Sequence, residues 1–181
     1  MRSFLFNALV KGPAVTSRPQ EASAMAEEVA RSLGERARLR LGRSLSIREV
    51  DAGSCNGCEL EINALSNPVY DIERFGLKFV ASPRHADVLL VTGPVTWNMK
   101  QALERTYAAT PNPKWVVAAG DCAAGCGVFA DSKACAGPVS AILPVDLHIP
   151  GCPPPPIEIL KGLLALMDGA DGRQVLAEAR S

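Results

Sequence analysis

Apolar residues recur along the chain in short blocks whose spacing switches between the helical and the extended period. From Gln20, a spacing of four through Met25, Val29, Leu33, Ala37 and Leu41 predicts a helix, which Gly34 weakens. Leu45-Ser-Ile-Arg-Glu-Val50 predicts a first strand, followed by a helix from about Cys58 to Leu65 that ends near Asn67-Pro68. Leu77–Val80 and Asp87–Thr92 predict two more strands, and the unbroken apolar run of the latter suits a strand covered on both faces. Thr96 or Asn98 can cap a helix through about Ala108, with Met99, Leu103 and Tyr107 turned inward. Lys114–Ala119 reads as a fourth strand, and a short fifth lies within Ala141–Ile149. Pro156–Met167 predicts the last helix, with prolines where a first turn tolerates them. Strands alternating with helices predict an α/β fold, an open and mostly parallel sheet with helices on both faces. The expected division is an arm and basic amphipathic helix over 1–44, the α/β domain over 45–168 and a polar tail over 169–181.

Composition changes this picture only modestly. The 181 residues are 48% hydrophobic with a formal net charge of zero, which fits one ordinary globular domain. Arg31, Arg36, Arg38, Arg40 and Arg43 make the second half of the first helix basic. Two readings stand: a solvated face above a core stripe, or a surface for an acidic partner or anionic lipid headgroups. The balanced charge and scarce aromatics argue against a nucleic-acid surface. No apolar run reaches the length of a membrane span. The first ten residues lack the pattern of a secretory signal and carry no twin arginine. The expectation is therefore a reducing compartment, in which six cysteines serve metal or redox chemistry before disulfides.

Four of those cysteines are placed alike. Cys55 and Cys58 in Asp51-Ala-Gly-Ser-Cys-Asn-Gly-Cys-Glu-Leu-Glu61, Cys122 in Gly120-Asp-Cys-Ala and Cys152 in Pro150-Gly-Cys-Pro each follow a predicted strand. In open parallel sheets ligands gather outside the carboxyl ends of the strands, so pattern and chemistry point to the same edge. A thioredoxin-type pair would leave Cys122 and Cys152 unexplained, and a structural zinc site usually draws its second pair from one compact knuckle. Here the last two lie thirty residues apart, each in a loop flanked by glycine. Four soft thiolates from three loops favour one [4Fe–4S] cluster, with a zinc-stabilised interaction module as the rival. Gly53, Gly57, Gly120 and Gly151 would allow sharp turns and close backbone approach. Cys126 and Cys135 read as small buried hydrophobes, although Cys126, four residues past Cys122, competes for a ligand role.

These residues, together with Ser82-Pro-Arg-His-Ala-Asp87 and Pro144-Val-Asp-Leu-His-Ile-Pro-Gly-Cys-Pro-Pro154, resemble the B-subunit family of NADH:quinone oxidoreductase, complex I. Within it the sequence is most similar to the small subunits of formate hydrogenlyase and related membrane-bound nickel–iron hydrogenases, over about residues 45–167. The resemblance implies a flavodoxin-like fold and an electron-transfer subunit, part of an oxidoreductase but not catalytic alone. It places Cys55, Cys58, Cys122 and Cys152 at the four ligand positions of one [4Fe–4S] cluster. It implies a hydrogenase or complex I-like large subunit, ferredoxin-like iron–sulfur subunits and membrane subunits as partners, at the cytoplasmic face of the cell membrane. The spaced C-x-x-C resembles the hydrogenases, whereas the quinone-reducing complexes typically carry adjacent cysteines. The 29 residues after Cys152, without further cysteine, resemble the short single-cluster type. The run Ala123-Ala-Gly-Cys-Gly127 departs from the small polar residue and glycines often found after the third ligand.

Glu59 and Glu61 follow the second candidate ligand; Glu61 occupies the position of a family carboxylate near the cluster and reads either as a candidate for a proton-coupled step or as a solvated or helix N-terminal acid. Arg84 reads as exposed or facing a partner cavity, His85 and His148 as satisfied or surface histidines, and Trp97 and Trp115 as core or interface aromatics. Asp146 is expected to close a hydrogen bond beneath the Cys152 loop.

Overall fold

A computed structural model describes residues 20–169. The arm expected over the first residues and most of the polar tail lie outside the described residues. The elements run α1 (Gln20–Leu41), β1 (Leu45–Asp51), α2 (Gly57–Ala64), β2 (Leu77–Phe79), β3 (Val88–Thr92), β4 (Val95–Thr96), α3 (Trp97–Ala109), β5 (Trp115–Ala119), α4 (Asp121–Gly125), β6 (Cys135–Gly137), β7 (Leu147–Ile149) and α5 (Pro156–Met167). Short 3₁₀ turns, among them Ile72–Phe75 and Gly127–Phe129, fill the connections.

Five strands form one parallel sheet in the order β2-β1-β3-β5-β7. With β4 and β6 set aside as a separate antiparallel pair, this is the flavodoxin-like order. The helices divide between the two faces. Leu45, Ile47, Leu90 and Val117 pack with Leu33 of α1, Ile62 of α2 and Leu160 and Leu163 of α5. Leu89, Val91 and Val116 pack on the other side with Leu103 of α3, Ala123 of α4 and Val139. Every residue of β3 is buried, as its unbroken apolar run requires of a strand with helices on both sides.

The first helix buries most of the stripe its spacing of four predicts: Leu33 and Ala37 are buried, and Val29 and Leu41 pack partly buried against the core. Each step of four residues turns 400°, so a run of such steps drifts around the helix by 40° per turn. Ala26, Ala30, Leu33 and Ala37 are buried, whereas Met25 is exposed. Gly34 sits where the helix crosses the 3₁₀ turn: a Cβ there would lie 2.1 Å from the Phe75 carbonyl oxygen. The glycine lowers helix propensity but permits the close contact between α1 and the 3₁₀ turn.

The arginines of α1 are largely engaged within the chain. Arg40 donates to the carbonyls of Leu166 and Met167 at the end of α5 and stacks on Trp115. Arg36 pairs with Asp168, Arg31 with Glu27, and Arg43, just past the helix, with Asp87. These contacts favour the solvated face over a lipid or acidic-partner surface.

Candidate metal centre

Three loops at the carboxyl edge of the sheet are shaped by short-range hydrogen bonds. After β1, the Asp51 carboxylate accepts from the amides of Gly53 and Ser54 at 2.7 and 2.8 Å, and the Ser54 hydroxyl accepts from the Asn56 amide. This Asx-type turn carries Cys55 outward and starts α2, whose first turn holds Cys58. The loop must cross the end of β3 to reach the other cysteines. Gly93 allows it: a Cβ there would lie 2.5 Å from the Ser54 backbone nitrogen.

Cys122 stands in the first turn of α4 and Cys152 in the loop after β7. Gly120, at φ 89°, brings the β5 loop under the cysteine of α2, and a Cβ on it would lie 2.7 Å from Cys58 Sγ. Cys126 takes a left-handed backbone, φ 63°, and turns the chain back so that the Val128 amide bonds Cys122.

All four cysteines line one cavity of about 100 Å³, together with Ser54, Gly93, Asp121 and Pro153. Cys58 and Cys122 are buried at its base, and Cys55 and Cys152 are exposed. The thiols sense one another. Burial first, then Glu59, then Cys122, Cys55 and Cys152 push the Cys58 thiol up to about 12. Burial, then Cys152 and Cys55, also raises Cys122, with the Val128 amide pulling the other way. Four thiolates this close repel, so the anionic set needs a cationic group among them. Cys126 and Cys135 do not line the cavity; burial first, then Cys135, raises the Cys126 thiol.

Among the described residues, no group of three or more His, Cys, Asp or Glu is arranged to hold a metal ion. The cavity is several times the ~10–15 Å³ that one water-sized sphere occupies. Four soft donors spread around such a space suit a multi-atom cluster better than one ion.

The other expected residues are dispersed. Glu61 is half-buried on α2. Its neighbour Glu59 is the one turned inward: it is buried and accepts from the Thr92 hydroxyl, and its second oxygen has no partner. Asp146 is not beneath the Cys152 loop but at the opposite end of β7, where its carboxylate accepts from the Val116 amide. His148 Nε2–H donates to the Gly120 carbonyl at 3.2 Å, while His85 and Arg84 are exposed. Trp115 packs against the core, whereas Trp97 is exposed. Thr96 precedes α3 without capping it, its hydroxyl donating to the Ala52 carbonyl instead.

Glu49 on β1 carries no signal in the sequence pattern. Burial first, then Glu59 and Asp51, raise its carboxyl, against a smaller opposing pull from Arg48. A carboxyl raised on folding binds more protons in the native state, so its contribution to stability is lost as pH rises through the raised value. Glu49→Gln is therefore expected to raise the melting temperature at about pH 8, with the difference vanishing near about pH 3, where both states are protonated. Thermal melts of both chains across that range check it.

Comparison with known proteins fits this geometry. The profile of the family described as "NADH ubiquinone oxidoreductase, 20 Kd subunit" matches residues 55–166. The chain is 49% identical over 128 residues to a probable membrane-bound hydrogenase subunit, mbhJ, of Pyrococcus furiosus, covering 71% of this chain and 77% of that protein. It is 46% identical over 123 residues to formate hydrogenlyase subunit 7 of Escherichia coli, covering 68% of this chain and 48% of the relative. A chain in the structure of the membrane-bound sulfane sulfur reductase, an archaeal respiratory membrane complex, superposes with a TM-score of 0.63 at 35% identity, covering 76% and 74% of the two chains.

Proposed function

The chain belongs to the family of the 20 kDa subunit of NADH ubiquinone oxidoreductase, and on that premise we propose that it is the electron-transfer subunit of a membrane-associated nickel–iron hydrogenase complex of the formate hydrogenlyase kind. In this reading Cys55, Cys58, Cys122 and Cys152 hold one [4Fe–4S] cluster, which when bound supplies one-electron transfer to the active site of a large subunit. Residues 45–168 form the unit that holds it. The observation that carries the reading is the convergence of these four thiols, from three separate loops, on one cavity.

The chain's own residues would hold the group and tune it. Cys58 and Cys122, the buried pair, would hold it, and the Val128 amide favours the Cys122 thiolate. Gly120 and Gly127 keep the space beside those sulfurs free, since a Cβ on either would lie under 3 Å from one of them. Cys55 and Cys152 stand at the solvent side, where a partner can approach. Leu60 and Val128 are exposed apolar side chains close in sequence to the cysteines of two of the loops, and Trp97 adds a third such surface at the start of α3.

Among the described residues no helix is long and apolar enough to cross a membrane. Attachment at the cytoplasmic face would then run through membrane subunits of the complex, with ferredoxin-like subunits delivering electrons.

Anaerobic reconstitution of the full chain with iron and sulfide tests the reading. The expected product is brown, holds about four irons per chain and gives an electron paramagnetic resonance signal on reduction. Zinc bound in place of iron would overturn it. The second reading is transfer to a different acceptor: the family description favours quinone, and the 35% identity to the sulfane sulfur reductase chain favours a sulfur substrate. Two cysteine pairs in the co-purifying large subunit would support nickel–iron chemistry, and their absence would exclude it.

A further inference from the structure

Cys122 and Cys152 come from separate loops, yet a cluster needs them at one fixed separation. Adjacent parallel strands carry them, and register brings Ala119 of β5 opposite Ile149 of β7. Beyond that pair the sheet ends. Gly120 still donates to the Ile149 carbonyl at 2.8 Å, but its own backbone, at φ 89°, turns out of the ladder and its carbonyl takes up His148. The Gly151 amide is left without the backbone acceptor a longer strand would have supplied.

Asp121 meets that amide. Its Oδ1 accepts from the Gly151 N–H at 2.9 Å, while its own amide donates to the Gly151 carbonyl at 2.9 Å. One residue thus makes two opposed bonds to the other loop, immediately before Cys122 and beside Cys152. The same device closes the far end of the two strands. Asp146 accepts from the Val116 amide at 2.7 Å and donates its own amide to the Val116 carbonyl at 2.9 Å. A carboxylate thus clasps β5 to β7 at each end, but only the Asp121 clasp borders the cavity.

We propose that Asp121 is the positioning residue for the cluster: its carboxylate fixes the separation of Cys122 and Cys152 and places one negative charge at the cavity wall. The two roles separate chemically. Spacing depends on an acceptor oxygen at the Oδ1 position, which asparagine retains and alanine lacks. The charge is lost in both. A nearby anion disfavours adding an electron to the cluster, so its removal makes reduction easier.

This inference rests on the cluster assignment, and the experiment separates the two. The parent chain, Asp121→Asn and Asp121→Ala are reconstituted anaerobically. Iron loss to a chelator, midpoint potential by spectroscopically monitored titration, and melting temperature are measured for each. Asp121→Ala is expected to lose iron at least about tenfold faster than the parent, the scale on which removing a partner of a metal ligand acts. Asp121→Asn is expected to hold iron within about twofold of the parent while its potential shifts upward. A role confined to folding would lower the melting temperature and leave the potential of the asparagine variant unmoved. An Asp121→Asn chain with the parent's potential, or one that loses iron as fast as Asp121→Ala, overturns the proposal even if the alanine variant fails to fold. A parent that takes up no iron removes the cluster assignment and this inference with it.

Discussion

Cys122→Ser and Cys152→Ser are each expected to leave a folded chain that keeps at most roughly a tenth of the parent's iron, because losing a direct ligand of the proposed cluster must exceed the ~10–100-fold cost of losing an outer partner. Cys126→Ser and Cys135→Ser are expected to keep it. The contrast is sharp because Cys122 and Cys126 lie four residues apart and are both buried. What separates them is the turn between. The left-handed backbone at Cys126 reverses the chain, so that Gly127 and Val128 fold back over the Cys122 sulfur while Cys126 lies outside the cavity. Serine keeps nearly the volume of cysteine and, lacking a β-branch, tolerates that backbone better than valine would. Iron analysis and electron paramagnetic resonance of the four reconstituted variants, with melting temperatures as a control for folding, measure the effect. Iron retained by Cys122→Ser but lost by Cys126→Ser would mean that the third ligand has been misassigned.

The strands and the cysteine edge are legible in the sequence because both depend on local pattern. An unbroken apolar run has few homes other than a covered strand, and β3 is buried throughout. A cysteine beside glycine just past such a run has its place set by the strand itself. Features decided by approach between distant segments are not legible. The β4–β6 pair joins residues some forty positions apart through only a few backbone contacts, too short for periodicity to register. Glu59 and Glu61 are two positions apart on α2, and only the docking of that helix decides which turns toward Thr92. The sequence pattern puts Asp146 beneath the Cys152 loop, yet the position under that loop belongs to Asp121, thirty residues earlier in the chain than Gly151. An aspartate before a candidate ligand gives no periodic signal, although its place at the end of a predicted strand offers a hint. Gly34 reads as a weakness of α1, and only the nearby Phe75 carbonyl explains it.

Asp87→Ala is expected to destabilise the chain by about 3–5 kcal/mol, the largest stability effect of any single side chain considered, while leaving the proposed cluster of the folded fraction intact. Asp87 is nearly fully buried at the amino edge of the sheet, where its side chain accepts from both terminal nitrogens of Arg43 at 3.1 and 2.5 Å and from the Ser46 amide at 2.9 Å. Its backbone donates to the Ser46 carbonyl and accepts from the Trp115 amide, so one residue joins the starts of β1, β3 and β5. Arg43 is more than half exposed, so freeing it costs little. The larger cost lies with the Ser46 amide, a buried donor left without its carboxylate, at ~1–3 kcal/mol, added to the loss of a charge-assisted bond at ~1.5–3 kcal/mol. Asp87→Asn keeps an oxygen for that amide and is expected to lose only about 1–2 kcal/mol. At ~2–4 °C per kcal/mol for a chain of this size, thermal melts separate the two variants. The cavity lies at the other end of β3, about 16 Å away at ~3.3 Å per residue, and Asp87 does not line it. Iron per folded chain should therefore match the parent in both variants. A loss of iron in Asp87→Asn out of proportion to its melting temperature would show the two edges of the sheet to be coupled rather than divided between anchoring the strands and gathering the cysteines.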